Sequence, residues 1–182
     1  NKVEASKYYK MASDKGNKEA MHNYALMTDN GDGIQTNKEE ALQYYKMAAE
    51  KGNSDSMLNC ALMFDKGEGT FVDKNEASNY FKMSANKGNK NAMLYYALML
   101  VKNDDVQSSD LKEACKFFKK TADEGNADSM YNYAALMSQG ANDIPINKKE
   151  ACRYFKMAAD KGNKDAMYNY AVMLSQGQGT PI

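Results

Sequence analysis

The chain has 182 residues, with 24 Lys plus Arg against 24 Asp plus Glu. The formal net charge is therefore zero, and no global field draws the protein to nucleic acid or to an anionic membrane. No run of about 18 apolar residues is present to cross a bilayer, so no direct membrane insertion is expected, and no signal-type apolar segment stands at the start. Three cysteines, Cys60, Cys115 and Cys152, make an odd count with no repeated pairing, which argues against a disulfide framework and for a reducing, cytoplasmic setting.

From Asn1 the chain predicts a helix. Asn1 stands three residues before Glu4, the spacing of a capping box, in which the Asx side chain accepts from free backbone N–H groups and the glutamate reaches back. The pair recurs as Asn37 and Glu40, Asp73 and Glu76, Asp110 and Glu113, Asn147 and Glu150. Behind each start, small and apolar residues fall three, four and seven apart, as in Ala41, Tyr44, Tyr45 and Ala48, which lays one buried stripe along a helix. The helix stops at a Lys-Gly-Asn or Glu-Gly-Asn step, since glycine adopts the left-handed conformation that closes a helix. The glycines are Gly16, Gly52, Gly88, Gly125 and Gly162, a period of 36 or 37 residues. The asparagine after each glycine caps a second helix, which runs Ala20, Met21, Tyr24, Ala25, Leu26, Met27 in the first copy. Its apolar residues cover more than one face, as a helix needs when it packs on its own partner and on the next copy.

Self-similarity at this period marks a stacked solenoid. The chain reads as five units, about 1–36, 37–72, 73–109, 110–146 and 147–182, each touching its neighbours and together forming one array. The expected fold is all-α, a right-handed superhelix of five helical hairpins. The first, second and last linkers carry paired glycines that turn the backbone from one hairpin to the next. The third, Val101 to Asp110, has none, and the fourth keeps only Gly140 before Pro145, so both are expected to be longer and less regular, and the third the most mobile. Neither edge copy carries the polar outer face of a solenoid cap, so the array is expected to continue in both directions.

The order Ala-x-x-Tyr-Tyr-x-x-Ala, Lys-Gly-Asn, Ala-Met-x-x-Tyr-Ala and Gly-x-Gly resembles the Sel-one-like repeat, a relative of the tetratricopeptide repeat with a longer unit. The resemblance covers the whole chain. Where the family pattern has Leu-Gly, this sequence has Tyr24-Ala25, Cys60-Ala61, Tyr96-Ala97, Tyr133-Ala134 and Tyr170-Ala171, and alanine should push neighbouring helices slightly apart. The resemblance implies an adaptor: similar proteins bridge partners in membrane-protein quality control, activate cell-wall synthases, or accompany signalling domains. A secreted branch linked to β-lactam binding resembles a disulfide-stapled array with paired cysteines in each unit, which this chain lacks.

Catalytic chemistry finds little support in the residues. His22 is the single histidine, which excludes a pair of His ligands, and it aligns with Leu58, Leu94, Tyr131 and Tyr168 as a packing residue. Ser84 and Lys87 form a bare Ser-x-x-Lys without companion motifs, and Ser84 belongs to a small-residue column with Ala12 and Ala48. Thr28 to Glu39 superficially resembles a calcium loop, but Thr28 stands where the first carboxylate belongs. The glycine pairs follow no strand and are not phosphate cradles. The methionine columns, Met21, Met57, Met93, Met130 and Met167 above all, read as core that fills space beside tyrosines. No catalytic, cofactor or metal residue is assigned.

Two polar columns remain. Lys10, Lys46, Lys82, Lys119 and Lys156 recur at one place on the first helices. Asn23, Asn59, Asn132 and Asn169 recur on the second, with Tyr95 in the third copy. The lysines suit a solvated face near the helix C-terminus. As ladders, the two columns would instead hold a peptide on the concave surface, asparagines bonding its backbone and lysines its acidic groups. The expected function is a non-enzymatic adaptor for protein or peptide partners, other domains of a longer chain among them. The alternatives are a structural spacer in a large assembly and a hydrolase like the secreted branch.

Overall fold

The computed structural model describes residues 1–102, 107–141 and 143–179. Among them are ten α-helices: α1 (Lys2–Asp14), α2 (Lys18–Asn30), α3 (Lys38–Glu50), α4 (Ser54–Lys66), α5 (Lys74–Asn86), α6 (Lys90–Lys102), α7 (Ser108–Asp123), α8 (Ala127–Gln139), α9 (Lys148–Asp160) and α10 (Lys164–Ser175). They form two compact units, Asn1–Ala92 and Met93–Ile182. The first holds α1 to α5 and the opening residues of α6; the second holds the rest of α6 and α7 to α10.

The caps explain most of the helix starts. Asn37, Asp73 and Asn147 accept from the backbone N–H of Glu40, Glu76 and Glu150 at 3.1, 3.0 and 3.0 Å. Two starts differ from expectation. The Asn1 side chain makes no cap bond, and Asp110 is not a cap at all, because α7 begins at Ser108 and Asp110 instead accepts from the N–H of Gln107 at 3.1 Å. Ser108 and Ser109 extend the helix backwards, since an acidic third residue suits the positive helix end wherever the first turn is placed. The expected irregular segment from Val101 is already helical to Lys102, and its residues 103–106 lie outside the described residues. The fourth linker spans 140–147, against 31–37 and 67–73, and is held by paired backbone bonds between Ala141 and Ile144.

The asparagine after each hairpin glycine is a cap, and in two copies it has a second task. Its oxygen caps the second helix, bonding the N–H of Ala20, Ser56, Ala92, Ser129 or Ala166 at 2.8 to 3.0 Å. Its amide also crosses to the preceding hairpin: Asn89 donates to Asp55 at 2.8 Å and Asn163 to Asp128 at 3.0 Å. One residue type thus satisfies an orphan helix donor and joins successive copies.

Packing follows the small-residue columns. In the first unit Ala41, Ala48, Ala61 and Ala77 are fully buried and let the helices close around Tyr45, Phe81, Met21 and Met57. Ser84, in the same column, donates to the Ser54 carbonyl at 2.7 Å, tying α5 to the start of α4. In the second unit Ala114, Ala134, Ala151 and Ala158 surround Phe118, Phe155 and Met130. Each such aromatic stabilises by roughly 1.5 to 3 kcal/mol over its exposed state. The methionine column is buried from Met21 to Met130, but Met167 is 46% exposed on α10, whose main packing is against α9.

The second glycine of the linker pair lets backbone touch backbone. A Cβ on Gly69 would run into the Lys38 carbonyl group, and one on Gly179 into that of Lys148. The linker thereby folds onto the first turn of the first helix of its own hairpin.

Candidate functional site

Two of the expected capping glutamates, Glu40 and Glu150, bond the preceding hairpin, and Glu150 also accepts from the Asn147 side-chain amide at 3.1 Å. Tyr24 Oη donates to Glu40 at 3.0 Å, and Lys10 Nζ lies 3.3 Å from the same carboxylate and 3.4 Å from Tyr24 Oη. Around Lys119 the arrangement recurs. Tyr133 Oη donates to Glu150 at 3.0 Å. Lys119 Nζ is 3.2 Å from Tyr154 Oη, 3.5 Å from Asp123 and 3.8 Å from Glu150. Tyr154 Oη also donates to Asp123. Hydrogen bonding to Tyr154, followed by the Lys119 charge, holds the Asp123 carboxyl below its ordinary value, while the Tyr154 bond raises the Lys119 ammonium. Tyr24 and Glu40 likewise raise Lys10. Tyrosine edges support the ions: Tyr24 on Tyr44 at 4.6 Å and Tyr133 on Tyr154 at 4.8 Å, both T-shaped.

Between the second and third hairpins the network is absent, and one residue explains it. Cys60 stands where Tyr24, Tyr96, Tyr133 and Tyr170 stand in the other copies. A thiol supplies neither the ring nor the hydroxyl that feeds the next glutamate. Phe64 fills the space, stacking on Tyr80 at 5.7 Å, and Lys46 lies over the Phe64 ring at 4.7 Å. Glu76, Tyr80 and Glu50, at the positions of Glu150, Tyr154 and Asp123, make no side-chain hydrogen bond or ion pair among the described residues. They line instead a groove of about 450 Å³ between α3 and α5, together with Ala49, Lys82 and Met83. Burial pushes the Tyr80 hydroxyl up to about 12, with Cys60, Glu76 and Glu50 adding to the shift.

The lysine column is therefore not uniform. Lys10 and Lys119 bridge hairpins, Lys156 pairs with Asp160 on its own helix at 2.7 Å, Lys82 rims the groove, and Lys46 rests on an aromatic face. The asparagine column lies on the second helices, half-buried. Asn132 and Asn169 donate to the carbonyls of Asp128 and Asp165, four residues back. Asn59 stands beside the Tyr45 hydroxyl, a buried group with no hydrogen bond of proper geometry. Asn23 is half-buried, and Tyr95 is 42% exposed.

The remaining candidates are structural. His22 Nδ1 lies 2.8 Å from Ser56 Oγ and its ring tilts against Tyr45, so it packs the first hairpin on the second. Thr28 is buried and donates to the Tyr24 carbonyl, which removes it as a calcium ligand. Among the described residues no His, Cys, Asp and Glu group could hold a metal ion, and no helix is long and apolar enough to cross a membrane.

The fold has known counterparts. The Sel1 repeat family model matches residues 1–17, 18–53, 54–89, 90–126, 127–163 and 164–182, in a frame that starts at the second helix of each hairpin and so gives partial units at both ends. A protective antigen of uropathogenic Escherichia coli, displaying an SLR fold, superposes with TM-score 0.82 at 26% identity over 95% of this chain and 37% of that one. A Sel1 repeat protein from Oxalobacter formigenes superposes with TM-score 0.78 at 27% identity over 97% of this chain and 49% of that one. The chain thus spans less than half the length of these two relatives. No curated protein matches it. The expected all-α hairpin-solenoid class agrees with these counterparts. Proteins of this repeat type generally mediate protein–protein interactions and are generally non-catalytic scaffolds.

Proposed function

The chain belongs to the Sel1 repeat family, and on that premise we propose that it is a non-enzymatic adaptor whose first-helix face binds a protein or peptide partner. The observation that carries this reading is the contrast within the lysine column. Lys10 and Lys119 are engaged between hairpins, whereas Lys46 makes no ion pair among the described residues and rests on the Phe64 ring. Lys46, with Lys82 beside it at the groove, meets acidic groups of the partner. The adaptor works in a reducing, cytoplasmic setting and can serve other domains of a longer chain.

The test is affinity capture from lysate with identification of the bound proteins, comparing the native chain with a Lys46→Glu/Lys82→Glu variant and with a Lys164→Glu control. Loss of the same proteins from the double variant alone supports the reading. Undiminished capture removes the two lysines from the site. A second reading, a tiled spacer, is favoured by exposed apolar residues such as Tyr8 and Met11 on α1 and Tyr168 and Leu174 on α10. Concentration-dependent end-to-end association in sedimentation would support it.

A further inference from the structure

We propose that the groove between α3 and α5 recognises a basic side chain, Arg or Lys, of a partner peptide. Its head sits between Glu50 and Glu76, and its stem lies along Tyr80 and Met83. The inference rests on the protein-binding reading and names the chemistry of its partner.

The argument begins with what the same positions do elsewhere. Glu40 and Glu150 each accept from a tyrosine and sit within ion-pair distance of a lysine of the preceding hairpin. Asp123, which aligns with Glu50, accepts from Tyr154 and pairs with Lys119. At the junction of hairpins two and three the tyrosine is Cys60 and the lysine lies on Phe64, so Glu76 and Glu50 lose both kinds of partner. Glu50, Glu76 and Tyr80 then line one groove together with Ala49 and Met83.

Charge complementarity selects the occupant. A guanidinium or ammonium supplies donors to the carboxylates, its methylene stem covers apolar surface while its head stays polar, and a tyrosine face attracts the cation. A groove of about 450 Å³ has room for one long side chain and part of a neighbour. An acidic occupant would meet the two unpaired carboxylates, and Lys82 on the rim already has an interaction within the protein. Acidic residues beside the basic one would fall to Lys46 and Lys82.

A random dodecapeptide phage library selected on the immobilised chain tests this directly. Selected peptides should share an Arg or Lys beside an apolar residue. The best of them, measured by calorimetry, should lose at least tenfold in affinity to a Glu50→Gln/Glu76→Gln variant and weaken as salt is raised. Cys60→Tyr, which returns a hydroxyl partner to Glu76, should weaken binding as well. The glutamine variant removes no packed atom, so its far-UV circular dichroism serves as the folding control. Selected peptides without a basic residue, or affinity unchanged within twofold in the glutamine variant, overturn the groove assignment and leave the adaptor reading standing. Failure to select any peptide overturns both.

Discussion

Two glycines of the first unit separate backbone strain from steric contact. Gly69 and Gly88 both hold positive φ, +68° and +95°. A Cβ on Gly88 would meet nothing within 4 Å, whereas one on Gly69 would collide with the backbone of Lys38 and Glu39. Gly88→Ala therefore costs the left-handed strain, about 1 to 2 kcal/mol, less the roughly 0.4 to 1 kcal/mol that alanine recovers by restricting the unfolded chain. Its net effect is about 1 kcal/mol or below. Gly69→Ala bears the same net strain and must also lift the linker from the first turn of α3, an overpacking of about 1 to 3 kcal/mol, for a total of about 1 to 4 kcal/mol. With urea slopes of about 1 to 3 kcal/mol per molar, the Gly69→Ala midpoint should fall by on the order of 1 M and that of Gly88→Ala by a few tenths, at unchanged slope. Equal shifts, or a larger one for Gly88→Ala, would refute the claim that close backbone approach is what the second linker glycine serves.

Three further outcomes follow from the contacts. Burial lowers the His22 imidazole below its ordinary value, with Asp55 opposing. The unfolded chain then binds the proton more readily, so this contribution is complete above about pH 6.5 and fades as pH falls below it. Urea midpoints should drop between pH 7.5 and 5.5, and by less in His22→Leu; an identical drop in the variant would remove His22 as the cause. Burial pushes the Cys60 thiol up to about 12, so Ellman's reagent at pH 8 should label Cys60 in the native chain far more slowly than after unfolding. Rapid native labelling of all three cysteines would contradict the packing. Tyr154→Phe removes the hydroxyl between Asp123 and Lys119 and should cost about 1 kcal/mol, whereas Tyr80→Phe, whose hydroxyl makes no hydrogen bond, should cost well under half of that in the same urea titration.

What could be read from the residues is what local chemistry decides. Asn37 and Asn147 cap as their spacing says, the post-glycine asparagines cap the second helices, and the period places Ala41, Tyr45 and Ala48 inside. Misreadings arise where a side chain has a choice of partner. Glu40 and Glu150 sit three residues after an Asx and satisfy the capping-box pattern, yet a tyrosine hydroxyl on the preceding hairpin competes for the carboxylate. Asp110 fits the cap spacing, but two serines before it carry the helix further back. The groove had a visible signal in the sequence, Cys60 in a column of tyrosines, but its meaning depends on knowing that the column feeds the next glutamate.

That dependence bears on how any near-identical array should be searched for its binding site. Positions repeated in every copy are first explained by what every copy must do, which is to bury one hairpin on the next; Lys10 with Glu40 and Lys119 with Glu150 do this across 30 or so residues of sequence. A repeated column is therefore weak evidence of a ladder for a partner until its members are shown to be disengaged. The informative positions are those where one copy omits a structural residue and the fold survives by other means. Here Phe64 stacked on Tyr80 replaces the packing that a tyrosine at position 60 would supply, but a phenyl ring cannot replace its hydroxyl. Packing is restored and hydrogen bonding is not, and the residues whose polar groups are so released, Glu50, Glu76 and Tyr80, line one surface groove, which is why a second molecule is proposed to satisfy them there.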